Sequence, residues 1–342
     1  MLLPSIGSKT LTRRQLLKIF LASGTLAASS FPFPAWPRTS PLHAQTFIGK
    51  AGSYEHDLRS VILQGFHELG ITPADIKGKR ILLKPNLVET HVESAHINTH
   101  PLVVRGAIEA FLHLGAHTVI VGEGPGHRQD ALQILEESGL APILREDRIS
   151  FVNLNEQTGD VVKNQGQWTS LSHLTFPKVF REIDWIVSMP KMKTHHWAGV
   201  TLSMKNLFGV LPGIYYGWPK NVLHQMGIHR SIIDITATLR PHFAIVDGIV
   251  GMEGDGPIMG EPKKMGVMVM GRNLPAVDAT CARLMGINPH RVSYLDIAGD
   301  WLGPIREGRI EQRGEPVWAL RQNFSLIKTI PAHRGLRVHS QD

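Results

Sequence analysis

Lys191, Lys193 and His195 alternate along one short segment, so an extended chain presents all three on one side, with Lys205 and Asn206 returning shortly afterwards. Such a side binds anions. Lysine supplies a point charge suited to phosphate or carboxylate, and a lysine desolvated near other cations has its pKa lowered enough to act as a base or Schiff-base nucleophile. Lys191, Lys193 and Lys205 are therefore catalytic candidates, with His195 as the acid/base group. A solvated basic loop is the simpler alternative, against which the apolar neighbours Trp197, Val200 and Leu202 speak.

Asp247, Glu253 and Asp255 lie among Gly248, Gly251, Gly254 and Gly256. These acids can hold a hard divalent cation such as magnesium through oxygen ligands, or Asp247 can serve as counter-ion to the lysines. Asp-Gly and Gly-Asp-Gly sequences are also ordinary turns. A second metal candidate is Glu89, His91, Glu93, His96 and His100, which can bind zinc, iron or nickel if the loop folds on itself. The spacing is not that of H-E-x-x-H, and His100-Pro101 more simply opens a helix.

Other signals fall away. Gly122-Glu123-Gly124-Pro125-Gly126 has His127 where a dinucleotide fingerprint needs its third glycine, and Glu123 would set negative charge beside a pyrophosphate. No Walker A sequence or G-x-S-x-G elbow occurs. Trp168, Trp197, Trp218 and Tyr215-Tyr216 can form an aromatic lid or pack as core. Cys281 is the single cysteine, which excludes an intramolecular disulfide and a protein-ligated iron–sulfur cluster. With Val277, Leu284 and Met285 it falls on one helical face, as a core thiol would.

These residues need elements to position them. Short β-branched apolar runs alternate with amphipathic stretches, which predicts a three-layer α/β fold, a mostly parallel sheet with helices on both faces, in one or two lobes. Strands are expected at 80–84, 118–121, 150–154, 185–188, 243–246 and 266–270, and helices at 102–114, 129–138 and 276–285, the last two closed by Gly139 and Gly286. A hairpin-like insertion is expected at 156–175. Lys84-Pro85-Asn86, Gly122-Glu123-Gly124, Pro190 to His195 and Asp247-Gly248 each follow a strand, where open α/β sheets bind ligands. Lys84, Asn86, Glu123, Gly124, Asn206, Asp247 and Glu253 are thus the expected substrate-binding residues.

The 342 residues are 42% hydrophobic and 19% charged, enough apolar material for a large core and too little charge for disorder. The net charge of +7 invites a nucleic-acid partner, yet Lys9, Arg13, Arg14, Lys18 and Arg38 all precede the first acid. Setting residues 1–44 aside leaves 31 basic side chains against 29 acidic ones, and the argument for nucleic acid goes with them. Thr12-Arg13-Arg14-Gln15-Leu16-Leu17-Lys18 resembles a twin-arginine export signal, with an apolar run from Ile19 to Ala28 behind it. That run is about half of the roughly 20 residues a membrane span needs. The expectation is a signal and Pro/Ser-rich linker over 1–44, export by the twin-arginine machinery to the periplasm or cell exterior, and no stable membrane span after processing. A single α/β domain over 45–330 and a loose tail over 331–342 complete the expected layout.

As an ordered set these clusters resemble the domain of unknown function 362 family. The most specific stretch is Met189-Pro190-Lys191-Met192-Lys193-Thr194-His195, continued by Gly199-Val200-Thr201-Leu202-Ser203-Met204-Lys205-Asn206-Leu207-Phe208-Gly209. Lys84-Pro85-Asn86, His100-Pro101, Gly122-Glu123-Gly124, Asp247-Gly248, Glu253-Gly254 and Asp278 support it over roughly 84–286. The resemblance implies a fold and no established reaction. Some relatives carry a ferredoxin-like module whose cysteines this chain lacks. The residues themselves point to an enzyme acting on a small anionic ligand, with an anion- or metal-binding protein without catalysis as the alternative.

Overall fold

Residue-by-residue alternation sorts the sheet into two buried faces. A computed structural model describes residues 42–90, 94–126, 130–299 and 301–337. Residues 1–41 of the expected export signal and linker, His91, Glu93 and His127 lie outside the described residues. The chain forms β1 (Ala44–Lys50), α1 (Leu58–Glu68), β2 (Arg80–Pro85), α2 (Pro101–His113), β3 (Thr118–Glu123), α3 (Ala131–Glu137), α4 (Leu140–Glu146) and β4 (Ser150–Asn153). It continues through β5 (Gly159–Lys163), β6 (His173–Pro177), β7 (Trp185–Met189), β8 (Lys191–His195), β9 (Gly199–Thr201), α5 (Ser203–Asn206) and α6 (Ile228–Leu239). β10 (Phe243–Glu253), β11 (Glu261–Gly271), α7 (Leu274–Leu284) and β12 (Ile310–Gly314) follow.

The main sheet runs β12-β1-β11-β10-β7-β2-β3-β4, with β8 paired to β10 and β9 to β8. Pairing is parallel from β10 through β7, β2 and β3 to β4, and antiparallel where β11 meets β1 and β10. Ile81, Leu83, Val119, Val121, Val187 and Phe243 face one core with α1 to α4, where Phe66 lies 5.0 Å from Phe111 and 5.5 Å from Phe243 between ring centroids. The intervening residues face the other way, toward α5, α6 and α7: Thr46 hydrogen-bonds Thr280 of α7, and Ser188 donates to the Ser203 carbonyl. Helices on both faces of a mostly parallel sheet make the expected three-layer α/β fold.

Four helices have their start written in sequence. Asp57 caps α1 by accepting from the Ser60 amide, Asp130 caps α3, Asn273 caps α7, and His100 with Pro101 opens α2. Gly139, at φ 77°, ends α3 and starts α4.

The differences from expectation have physical reasons. β10 and β11 run to 11 residues each: Asp247, Gly248 and Gly251 break the apolar run, while the antiparallel ladder resumes beyond a register shift between Gly248 and Val250. The polar insertion is an antiparallel ribbon, β5 with β6, outside the main sheet. β1, which opens at Ala44, the last residue of the expected signal and linker, is an interior strand between β12 and β11. Residues 331–337 are docked rather than loose: His333 and Leu336 are buried, and the Asn288 amide donates to the Leu336 carbonyl at 2.8 Å.

Candidate functional site

The strand order reverses between β2 and β7, and Lys84 stands there near the carboxyl end of β2. Its Nζ donates to Glu123 Oε2 at 2.6 Å, Asn206 Oδ1 at 2.9 Å and the Pro85 carbonyl at 2.8 Å. Burial lowers the Lys84 pKa, and Glu123 opposes the shift. Glu123 also accepts from the Leu87 and Gly124 amides, while Asn206 Nδ2 donates to the Lys84 carbonyl and to Ser188 Oγ. Two glycine backbones close over this pair. A Cβ on Gly209 would stand 2.0 Å from Glu123 Oε1 and 2.7 Å from Lys84 Nζ, and one on Gly124 would stand 2.7 Å from the Gly209 carbonyl oxygen.

Beside the pair opens a cavity of about 610 Å³, lined among others by Lys84, Glu123, Lys193, His195, Lys205 and Lys220. Lys193 is fully buried, and its Nζ donates to the carbonyls of Ile97 at 2.8 Å and Pro257 at 3.1 Å, with no salt bridge to any described acid. Burial first, then the charges of Lys191, Lys205 and Lys84, push its pKa far down.

His195 Nδ1 accepts from the amides of Trp197 at 3.0 Å and Ala198 at 3.2 Å, so its proton sits on Nε2. Burial, then Lys205 and other cations, hold its pKa well below the usual histidine range. A neutral ring fixed this way donates a hydrogen bond from Nε2 and has no free lone pair for a proton.

Lys205 is the cavity lysine without a hydrogen-bond acceptor or salt bridge among the described residues. It lies in α5, whose first amides, Ser203 and Met204, donate to the buried Asp278 carboxylate at 2.8 and 3.1 Å. Its Nζ sits 4.0 Å from the centre of the Phe208 ring, and its pKa is pushed down to about 7 by burial and then by Lys84.

Lys220 was not foreseen. It is buried at φ 66°, its Nζ held by Asn155 Oδ1 and the Leu211 carbonyl, and burial pushes its pKa down to about 7. Two further lining residues carry orphaned buried atoms, Asn86 Oδ1 and Thr201 Oγ1.

Three expected members stand elsewhere. Lys191 is fully buried behind the cavity, donating to Asp247 Oδ2 at 2.5 Å, Tyr54 Oη at 3.0 Å and the Ala95 carbonyl at 2.7 Å. Asp247 faces it in register and accepts in addition from the His100 and Ile249 amides. Neither residue lines the cavity, because the 94–99 loop covers their end of β8, so their proposed convergence with Lys84 and His195 on one concave face is corrected. Glu253 pairs with Lys263 at 3.4 Å and accepts from the Ser325 amide, which ties down the C-terminal segment instead of meeting a ligand. Asp255 does line the cavity, 3.8 Å from His196.

His96 is not among the lining residues, His100 stacks on Tyr54 at 3.6 Å, and among the described residues no group of three His, Cys, Asp or Glu side chains is disposed to hold a metal. Of the aromatic lid residues, Trp197 lines the cavity. Tyr215 and Tyr216 accept from the amides of Gly159 and Thr175 in the β5–β6 ribbon, and Trp218 packs on Gly213. Cys281 is a buried core thiol.

Over 261 residues the chain is 27% identical to a thylakoid-associated protein of Synechocystis sp., covering 75% of this chain and 77% of that protein. Among solved structures it is similar to the lactate racemase apoprotein of Thermoanaerobacterium thermosaccharolyticum, at 15% identity and a TM-score of 0.44, over 74% of this chain and 59% of that one. A protein of Thermotoga maritima is similar at 13% identity and a TM-score of 0.39, over 68% of this chain and 59% of that one. This chain therefore spans less than two thirds of either solved chain. Residues 81–283 match the model of the family described as Domain of unknown function (DUF362), well over half of the chain, and the protein belongs to that family.

Proposed function

We propose that the cavity binds a small organic anion, a carboxylate or phosphate ester, and that Lys205 exchanges a proton with it. The observation that carries this reading is the charge balance of the lining. Four lysines, Lys84, Lys193, Lys205 and Lys220, line the cavity with three carboxylates, of which Glu123 alone is buried and is already taken by Lys84, while Glu89 and Asp255 are partly exposed. An anion among these amino groups relieves their repulsion, because two like charges about 4 Å apart cost roughly 4 kcal/mol at an effective dielectric of 20. His195 Nε2–H donates to the anion, and Asn86 Oδ1 and Thr201 Oγ1 supply polar atoms that have no partner within the protein. Lys205, with a pKa near 7, exists in both protonation states at neutral pH, as an acid/base group must. A binding protein without catalysis is the second reading. It is favoured by Lys84 being held by three acceptors and Lys193 and Lys220 by two each, which suits neutralisation more than proton transfer.

Brief acetylation with acetic anhydride across pH 6 to 10, mapped by mass spectrometry, tests the role of Lys205. Only the neutral amine reacts, so Lys205 is expected to reach half-maximal labelling near pH 7, whereas surface lysines do so near pH 10.4. A Lys205 profile that follows the surface lysines removes the acid/base role and leaves the binding reading.

We also propose export by the twin-arginine route, on the strength of Arg13-Arg14 in an acid-free leader. Replacing both arginines by lysine is expected to leave the full-length chain in the cytoplasm, and continued export through the general secretory route overturns the assignment.

A further inference from the structure

The cavity is far larger than an inorganic anion needs, and its walls are unevenly built. At the inner end stands Lys205, with its Nζ over the Phe208 ring. From Phe208 outward the rings follow one another edge to face: Phe208 to His224 at 5.4 Å, His224 to Trp197 at 5.2 Å and Trp197 to His196 at 4.7 Å between centroids. All four rings line the cavity. The strip passes from Phe208, 5% exposed, to Trp197, 55% exposed, and across the opening stands Met259, 77% exposed. Trp197 and Met259 are thus large apolar side chains left in water at the mouth of one pocket, where a ligand would cover them. His224 itself is uncharged at neutral pH, since burial and Lys205 push its pKa down to about 4.

Resting on the anion reading of this same cavity, we infer that its ligand is an aromatic anion, a carboxylate or phosphate carried on a flat ring, with the charge beside Lys205 and the ring along Phe208, His224 and Trp197. Flat rings suit this wall because edge-to-face and offset contacts between aromatic groups add to simple area burial. The volume of about 610 Å³ accommodates such a molecule where a bare phosphate would leave most of the cavity to water.

The test compares methyl, hexyl and phenyl phosphate by calorimetry on the full chain, at one salt concentration. The three share the anionic group and differ in the body attached to it. Phenyl phosphate is expected to bind about tenfold more tightly than methyl phosphate, with hexyl phosphate between them. Trp197→Ala, at an exposed position whose backbone amide to His195 is retained, is expected to collapse the phenyl preference to about twofold while leaving methyl phosphate unchanged. Equal binding of methyl and phenyl phosphate overturns the inference, as does an undiminished phenyl preference in Trp197→Ala. Hexyl phosphate matching phenyl phosphate overturns the preference for a ring. Lys205→Met separates the two levels: binding that this variant abolishes supports the anion site even if the ring preference fails. Binding of all three that is indifferent to Lys205, or no binding of any, overturns the anion site and this inference together.

Discussion

Lys191→Met is expected to destabilise the fold by about 3–5 kcal/mol, the usual cost of removing one partner from a buried ion pair. Lys191 and Asp247 are both fully buried and touch at 2.5 Å, and the methionine would leave the carboxylate without a counter-charge. The pair is also a strut. Through Tyr54, the Ala95 carbonyl and the His100 amide it joins three segments to the adjacent strands β8 and β10. Urea denaturation measures the loss, and adding Asp247→Asn to Lys191→Met is expected to recover a substantial part of it, since the stranded charge has then gone. A loss below about 1 kcal/mol would mean that Tyr54, His100 and Ile249 suffice for Asp247 without the lysine.

Lys205→Met is expected to act in the opposite direction. Lys205 has a pKa of about 7 in the fold against about 10.4 in an unfolded chain. Between those values the unfolded chain holds more protons, so the stability of the empty protein rises with pH across this window, and below about pH 7 the full cost of the buried charge is present. Methionine keeps the stem volume and removes the charge. The variant is therefore expected to melt at the same or a higher temperature than the parent below pH 7, with the difference vanishing toward pH 10. An anion at about 100 times its dissociation constant stabilises the parent by roughly 2.7 kcal/mol, and Lys205→Met is expected to abolish that shift. In the parent the shift is expected to be larger at pH 6 than at pH 9, because the anion holds the lysine protonated. Thermal melts with phosphate and with phenyl phosphate measure each of these. A variant that melts lower than the parent at pH 6 would make Lys205 a structural residue.

The strand-end rule made much of the site legible, because a chemical cluster after an apolar run is a local signal. It correctly placed Lys84, Asn86, Glu123, Gly124, Lys193, His195, Lys205 and Asn206 around one cavity. Alternation was also right about Lys191 and Lys193: their amino groups bond the Ala95 and Ile97 carbonyls, two residues apart on one loop. What alternation cannot carry is depth. The loop meets both lysines, yet Lys193 lines the cavity and Lys191 does not, and that goes with the register of Asp247 against Lys191, a long-range fact. Lys220 and His224 were missed because the stretch around Gly217-Trp218-Pro219 has no periodicity to read, and its Gly-Pro punctuation signals only a turn. The protonation of His195 likewise depends on two amides that reach Nδ1 only after the chain has turned at Trp197 and Ala198.

The place of β1 in the sheet sets the order in which the molecule can be completed. Among the described residues it is the earliest strand, yet both of its neighbours, β11 and β12, come from the last third of the chain, and Gln45 hydrogen-bonds Glu311 across 266 residues. On a ribosome working at about 5–20 residues per second, that separation corresponds to roughly 15–50 s of synthesis. Both edges of the strand stay unpaired until β11 is made, and the edge that meets β12 for the whole interval, an open template for other extended chains. The sheet therefore cannot grow outward from the amino terminus. It closes late, when β11 and β12 enclose Ala44–Lys50, a strand made long before either of them.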